Sequence, residues 1–192
     1  MHFTVDTDLA IAGIVLGVAA LAMAAPPLFQ MMFGRPELTF EADDFTGPDG
    51  RILVIAIKNP PVANRFLRHI GVEREASDVV AFFDVQELGT GRLIARTVTG
   101  LLSCAVLQTT GLQARALPNF TIGLTVIGTR NGIASIVDAR PEKVVSITPG
   151  HYVAHIAVVR GQHTYRIDQN FRVAKVDHET MWDQRNVVSI RQ

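Results

Sequence analysis

Cysteine is almost missing from this 192-residue chain. Cys104 is its one copy, so no disulfide within the chain can staple the fold, and cysteine usage leaves the redox compartment open. Lysine is scarce too, with three copies against fifteen arginines, a bias that the base composition of a genome explains as well as function does. Net charge is absent: 18 Lys and Arg balance 18 Asp and Glu. Asp6 and Asp8 precede the apolar run described below, which leaves 18 basic against 16 acidic residues after it. That balance removes the electrostatic argument for a nucleic-acid partner.

Motifs that carry chemistry are missing as well. Ser103-Cys104 is not set in a nucleophile elbow, and "GTGR" at 89–92 suits a turn better than a phosphate-binding loop. A copper site of the cupredoxin kind gathers Cys, His and Met in one loop, whereas Cys104 has no His within thirty residues and no Met after it until Met181. His151 and His155 share a strand face but lie about 13 Å apart along it, too far to chelate one ion together. A third ligand would have to come from the adjoining strand, from His163 or Asp168. The sequence therefore predicts a protein that is not an enzyme, with no cofactor, no metal and no small-molecule substrate.

What the chain has in quantity is apolar length. From Leu9 to Gly34 no Asp, Glu, Lys, Arg or His occurs, and Gln30 is the one strongly polar residue. Roughly 20 residues of helix cross a hydrocarbon core, so a transmembrane helix is expected over 9–33 after a short tail at 1–8, even with Pro26-Pro27 ending or kinking it early. The leading "MHFTVDTD" offers two aspartates and no Lys or Arg, which argues for a retained anchor over a cleaved secretory signal. Arg35 and then Arg51 are the first basic residues after the span, which tilts the domain that follows toward the cytoplasmic side; the periplasmic side is the alternative. Gly13, Gly17, Ala20 and Ala24 fall on one face of that helix, the small-residue spacing that lets membrane helices approach closely.

After Arg35-Pro36 the period changes to two. "ELTFEADDF" alternates, "TGPDG" turns, and "RILVIAIKNPP" reads as a strand closed by prolines. Hairpins are predicted over 79–98, turning at Gly89-Thr90-Gly91, and over 121–139, turning at Asn131-Gly132, the strongest short-range hairpin signal. "NRFLRHIGVEREAS" alternates weakly and reads as a strand or an irregular edge, while 101–120 has no clean period and suits a short helix or a connection between sheets. In "PGHYVAHIAVV" the residues Tyr152, Ala154, Ile156 and Val158 share one face, and Phe171 and Val173 repeat that pattern on the next strand.

A Pro-Gly turn and a Tyr opening a strand whose partner carries an alternating Phe-x-Val resembles the last strands of immunoglobulin-like domains. The resemblance covers 36–176 at the level of fold and implies an antiparallel β-sandwich, here in a single-pass membrane protein of bacterial type. The Cys pair and buried middle-strand Trp of antibody-type domains are lacking. In the tail at 177–192, Asp177 as N-cap and Glu179 in the first turn predict a short helix.

Candidate contact residues are few. Arg65 and Arg68 form the densest basic patch, suited to anionic headgroups or to carboxylates of a partner, and Trp182, the one Trp, suits a lipid headgroup or a partner surface. The function expected is that of a non-catalytic accessory or structural subunit of a larger membrane complex, for example respiratory or photosynthetic. It would bind integral membrane proteins through its helix, sit in the lipid bilayer and present its sandwich to partners. The alternative is an independent membrane-tethered sensor or ligand-binding module.

Overall fold

The computed structural model describes residues 14–20, 23, 27–32, 34, 37–47, 50–69, 72, 74, 76–104, 109–130, 132–140, 145–174, 180–183 and 189–191. Residues 14–20 and 27–32 are helical, and among the described residues no helix is long and apolar enough to cross a membrane. Gly13 and Ala24 of the expected small-residue face lie outside the described residues.

The rest of the chain is mainly β. In chain order the strands are β1 (Thr39–Gly47), β2 (Gly50–Lys58), β3 (Ala76–Glu87), β4 (Leu93–Thr99), β5 (Leu101–Cys104), β6 (Thr109–Gly111), β7 (Ala114–Ala116), β8 (Thr121–Arg130), β9 (Ile133–Ile136), β10 (Val145–Ser146), β11 (Gly150–Arg160), β12 (His163–Val173), β13 (Thr180–Trp182) and β14 (Ser189–Arg191). One sheet has the order β1-β2-β8-β5-β6, with β9 beside β8 and β10 beside β9. The other has the order β13-β12-β11-β3-β4, with β14 beside β12 and β7 beside β3. Every described pairing is antiparallel, so the molecule is a two-sheet sandwich compatible with an immunoglobulin-like fold.

Local chemistry sets the hairpins. Arg130 pairs with Ile133 across a two-residue loop in which Gly132 holds φ 74°, a left-handed backbone that Asn-Gly accepts at low cost. At the β1–β2 hairpin Gly50 holds φ 135°, and an added Cβ there would collide with the Thr129 carbonyl. Alternation then sorts the faces. Tyr152, Ala154, Ile156 and Val158 of β11 are buried, as are Phe171 and Val173 of β12. They meet Leu53, Ile55 and Ile57 of β2 and Ile122 and Leu124 of β8 in one core cluster. Each fully buried large aliphatic side chain there contributes about 1.5–3 kcal/mol relative to exposure.

Three features anchor the ends of the core. The Tyr152 hydroxyl donates to the Thr148 carbonyl at 2.7 Å, a bond from strand start to upstream backbone of the tyrosine-corner type. Its ring stacks on Phe171 at 5.4 Å, and Phe40 meets Tyr165 across the two sheets at the same centroid distance. Asn59, 1% exposed, donates its side-chain amide to the carbonyls of Arg74 and of Ala116, the latter at 2.8 Å. Its own carbonyl accepts the Asn119 amide at 3.0 Å, so one residue after β2 is tied to Arg74, to the end of β7 and to Asn119.

Two expectations are corrected, and one pair of alternatives is decided. The weakly alternating segment after Pro61 is not a strand where it is described: Arg65–His69 forms a single helical turn. Asn64 explains it, because its Oδ1 accepts the Phe66 amide at 2.9 Å and its carbonyl accepts the Arg68 amide at 3.2 Å, an N-cap that favours a turn over an extended chain. Of the two expectations for 101–120, the connection between sheets is the one found where the segment is described: β5 and β6 lie in the first sheet and β7 in the second. The tail is not helical at Thr180–Trp182 or Ser189–Arg191; both are strands on the open side of β12, and Asp177 lies outside the described residues. Pairing with an exposed strand edge outweighs a lone N-cap signal in so short a segment.

Candidate interaction surfaces

The helical residues 14–20 are all apolar or small, and all are exposed. Ile14, Val15, Leu16 and Val18 are between 61% and 71% exposed, and Met23, Leu28, Met31 and Met32 are exposed as well. At 100° per residue, Ile14 and Val18 share one face while Val15 and Leu16 point to two others, so this is no single amphipathic stripe awaiting one core. Among the described residues Gly17 has nothing within 4 Å of the place its Cβ would occupy, and Ala20 is exposed; both present small, open positions.

Phe29 links this region to the sandwich. It packs against the buried side chains of Val62, Leu67 and Val72, an apolar cluster separate from the main core. Leu67 is the buried residue of the helix Arg65–His69. Arg65, Phe66, Arg68 and His69 are exposed around it, with Phe66 63% accessible. The two arginines expected as a basic patch are thus brought together on a turn that is held to the residues closing the apolar segment.

Trp182 is placed elsewhere. Its indole Nε1–H donates to the Asp43 carbonyl at 2.8 Å, and its ring meets Phe171 edge-on at 5.9 Å. The side chain is partly buried against the main core, on the edge strand β13.

On the outer face of the second sheet, Asp84, His155 and Asp168 stand opposite one another on β3, β11 and β12. His155 Nδ1 lies 2.8 Å from Asp168 Oδ1 and Nε2 lies 3.3 Å from Gln86 Oε1. Asp84 is engaged with the Thr97 amide at 2.5 Å, which stabilises the left-handed Thr97 in the irregular β3–β4 pairing. Among the described residues no three His, Cys, Asp or Glu side chains are grouped to hold a metal ion. Cys104 is buried, 2% exposed.

A recess of about 310 Å³ opens between β4 and the strands β9 and β10, lined by Ile94, Val98, Ile136, Asp138, Arg140 and Val145 among others. Arg140 bridges Asp138 at 3.2 Å and donates to the Thr97 carbonyl at 2.9 Å. Burial works to raise the pKa of Asp138, but the hydrogen bonds and charge of Arg140 overcome it and hold the carboxyl below its usual value. Sequence reading missed this pair, and the nearest signal was the short Asp-x-Arg spacing ahead of a proline. No protein-family model matches the chain, and no curated protein or solved structure matches it either.

Proposed function

We propose that this chain is a non-catalytic, membrane-anchored accessory subunit of a larger membrane protein complex, with an immunoglobulin-like sandwich held at the cytoplasmic surface. The observation that carries the reading is the helical region before the sandwich, whose Ile14 and Val18 on one face and Val15 and Leu16 on two others are all exposed. A helix apolar on every side needs lipid or protein around it, and the described residues of its own domain leave these side chains open. Gly17 and Ala20 add open small positions suited to close helix approach. The Tyr152 corner favours the immunoglobulin-like assignment of the sandwich, whose core is filled by its own side chains. Such a domain offers sheet faces and edges for contact. Solubilising native membranes in mild detergent and isolating the chain tests the proposal. Stable co-elution with integral membrane proteins is expected, and elution as a free monomer from intact membranes would refute it.

A second reading, an independent membrane-tethered ligand-binding module, is favoured by the recess at Asp138 and Arg140. Its apolar walls and one ion pair suit a small amphipathic ligand. Thermal stabilisation of the purified chain by members of a ligand library, lost on Arg140→Ala, would favour it over the first.

A further inference from the structure

Resting on the reading of 9–33 as an anchor, we propose that the helix Arg65–His69 is a second membrane contact: Phe66 inserts among the headgroups of an anionic leaflet while Arg65 and Arg68 meet lipid phosphates. A five-residue helix has no stability of its own, so what holds it tells what it is for. Asn64 caps it from one end, and Leu67 fastens it to Val62, Val72 and Phe29. Phe29 belongs to the helical residues 27–32 that close the apolar segment, so the turn is clamped at the place where the chain leaves the bilayer.

Its exposed side chains suit that place. Phe66 is a large aromatic with 63% of its surface in solvent, between two arginines, on a helix with no acidic residue in its first turn and Arg68 and His69 in its last. Among the described residues neither Arg65 nor Arg68 reaches a carboxylate, whereas Arg51 is paired with Asp44, Arg74 with Glu37 at 3.5 Å and Arg140 with Asp138. An aromatic ring flanked by two such guanidiniums next to a membrane exit matches the composition of interfacial anchors. Phosphates of a bilayer meet such side chains at any azimuth, so two guanidiniums on one short turn can both be satisfied.

The test uses the full chain reconstituted in phosphatidylcholine vesicles with and without phosphatidylserine. Phe66→Trp supplies a depth probe, and the packed Trp182 supplies the internal reference. In mixed vesicles the added emission is expected to be quenched by brominated acyl chains, and Arg65→Gln and Arg68→Gln each to lower the docked-to-undocked ratio about five-fold. Carbonate washing separates the two claims. A chain that resists carbonate but shows no quenching of the Phe66→Trp probe is anchored without this contact, which overturns the inference alone. A chain stripped by carbonate yet quenched on phosphatidylserine keeps the contact and loses the anchor. Quenching that is indifferent to phosphatidylserine and to both arginine variants overturns the role given to the guanidiniums.

Discussion

The indole of Trp182 donates its N–H to the carbonyl of Asp43, 2.8 Å away, and thereby joins a strand at the edge of one sheet to the edge strand of the other. Two physical tasks are met at once: an outward carbonyl of β1 is satisfied, and the open end of the core at Phe171 is covered by an aromatic ring. The same strand buries Thr180, whose hydroxyl lies 3.2 Å from that of Thr129 on β8. The tail is therefore a clasp across the sandwich.

Trp182→Phe keeps most of the ring and loses the bond, so unfolding in urea should show a loss of about 1 kcal/mol with the slope unchanged. Trp182→Ala removes the cover of Phe171 as well and should cost about 3 kcal/mol. Parental stability in both variants would show that neither the bond to Asp43 nor the ring contact holds the sheets together, and an equal loss in both would leave the bond and remove the ring.

Asn59 gives a second expectation. Its substitution by Ala strands two carbonyls, those of Arg74 and Ala116, in a site where the side chain is 1% exposed. Each stranded group costs about 1–3 kcal/mol, so Asn59→Ala should lower the thermal midpoint by several degrees or more. Because the loop carrying Arg65–His69 starts from this latch, hydrogen exchange at Leu67 should quicken more than at core residues such as Ile156. Uniform acceleration at both would mean that the latch stabilises the whole domain without a local effect on the loop.

The Asp138–Arg140 pair predicts a pH dependence. Asp138 has a folded pKa below its unfolded value, so its contribution is fully present above the ordinary carboxylate range. It is lost as pH falls through the lowered folded value. Asp138→Asn should destabilise the protein by about 1 kcal/mol at neutral pH, and the gap between variant and parent should close in acid. Chemical denaturation at neutral pH and again below the carboxylate range checks it; a gap that stays constant removes the ionised Asp138 from the account.

Much of the sandwich was legible because its signals are local. Alternation in β11 and β12, Asn131-Gly132 between two apolar runs and the Gly-rich turn after Glu87 each need only neighbouring residues to be read. The extra residue Val126 was not legible: the β2–β8 register slips there, so Val126 and Ile127 are both buried and strict alternation breaks. Nor were β13 and β14, since three-residue strands exist only because β12 offers them an edge. Arg65 and Arg68 stood out as a basic patch, but their clamp to Phe29 is a contact across more than thirty residues that no local pattern carries. Trp182 was read for its rarity, and its bond to Asp43 spans a sequence separation of 139.

Gly17 tests the subunit reading directly. Among the described residues nothing lies within 4 Å of the place its Cβ would take, so Gly17→Leu should neither unfold the sandwich nor hinder membrane insertion. If a partner helix approaches there, Leu holds the backbones apart and removes close packing. A loss of about 1 kcal/mol would lower recovery of partners about five-fold in mild detergent. Resistance to carbonate should stay at the parental level, since Leu is at least as apolar as Gly. Co-purification unchanged by Gly17→Leu would place the partner contact elsewhere and leave the glycine as a feature of composition, whereas loss of both partners and membrane retention would point to insertion itself as the step that needs it.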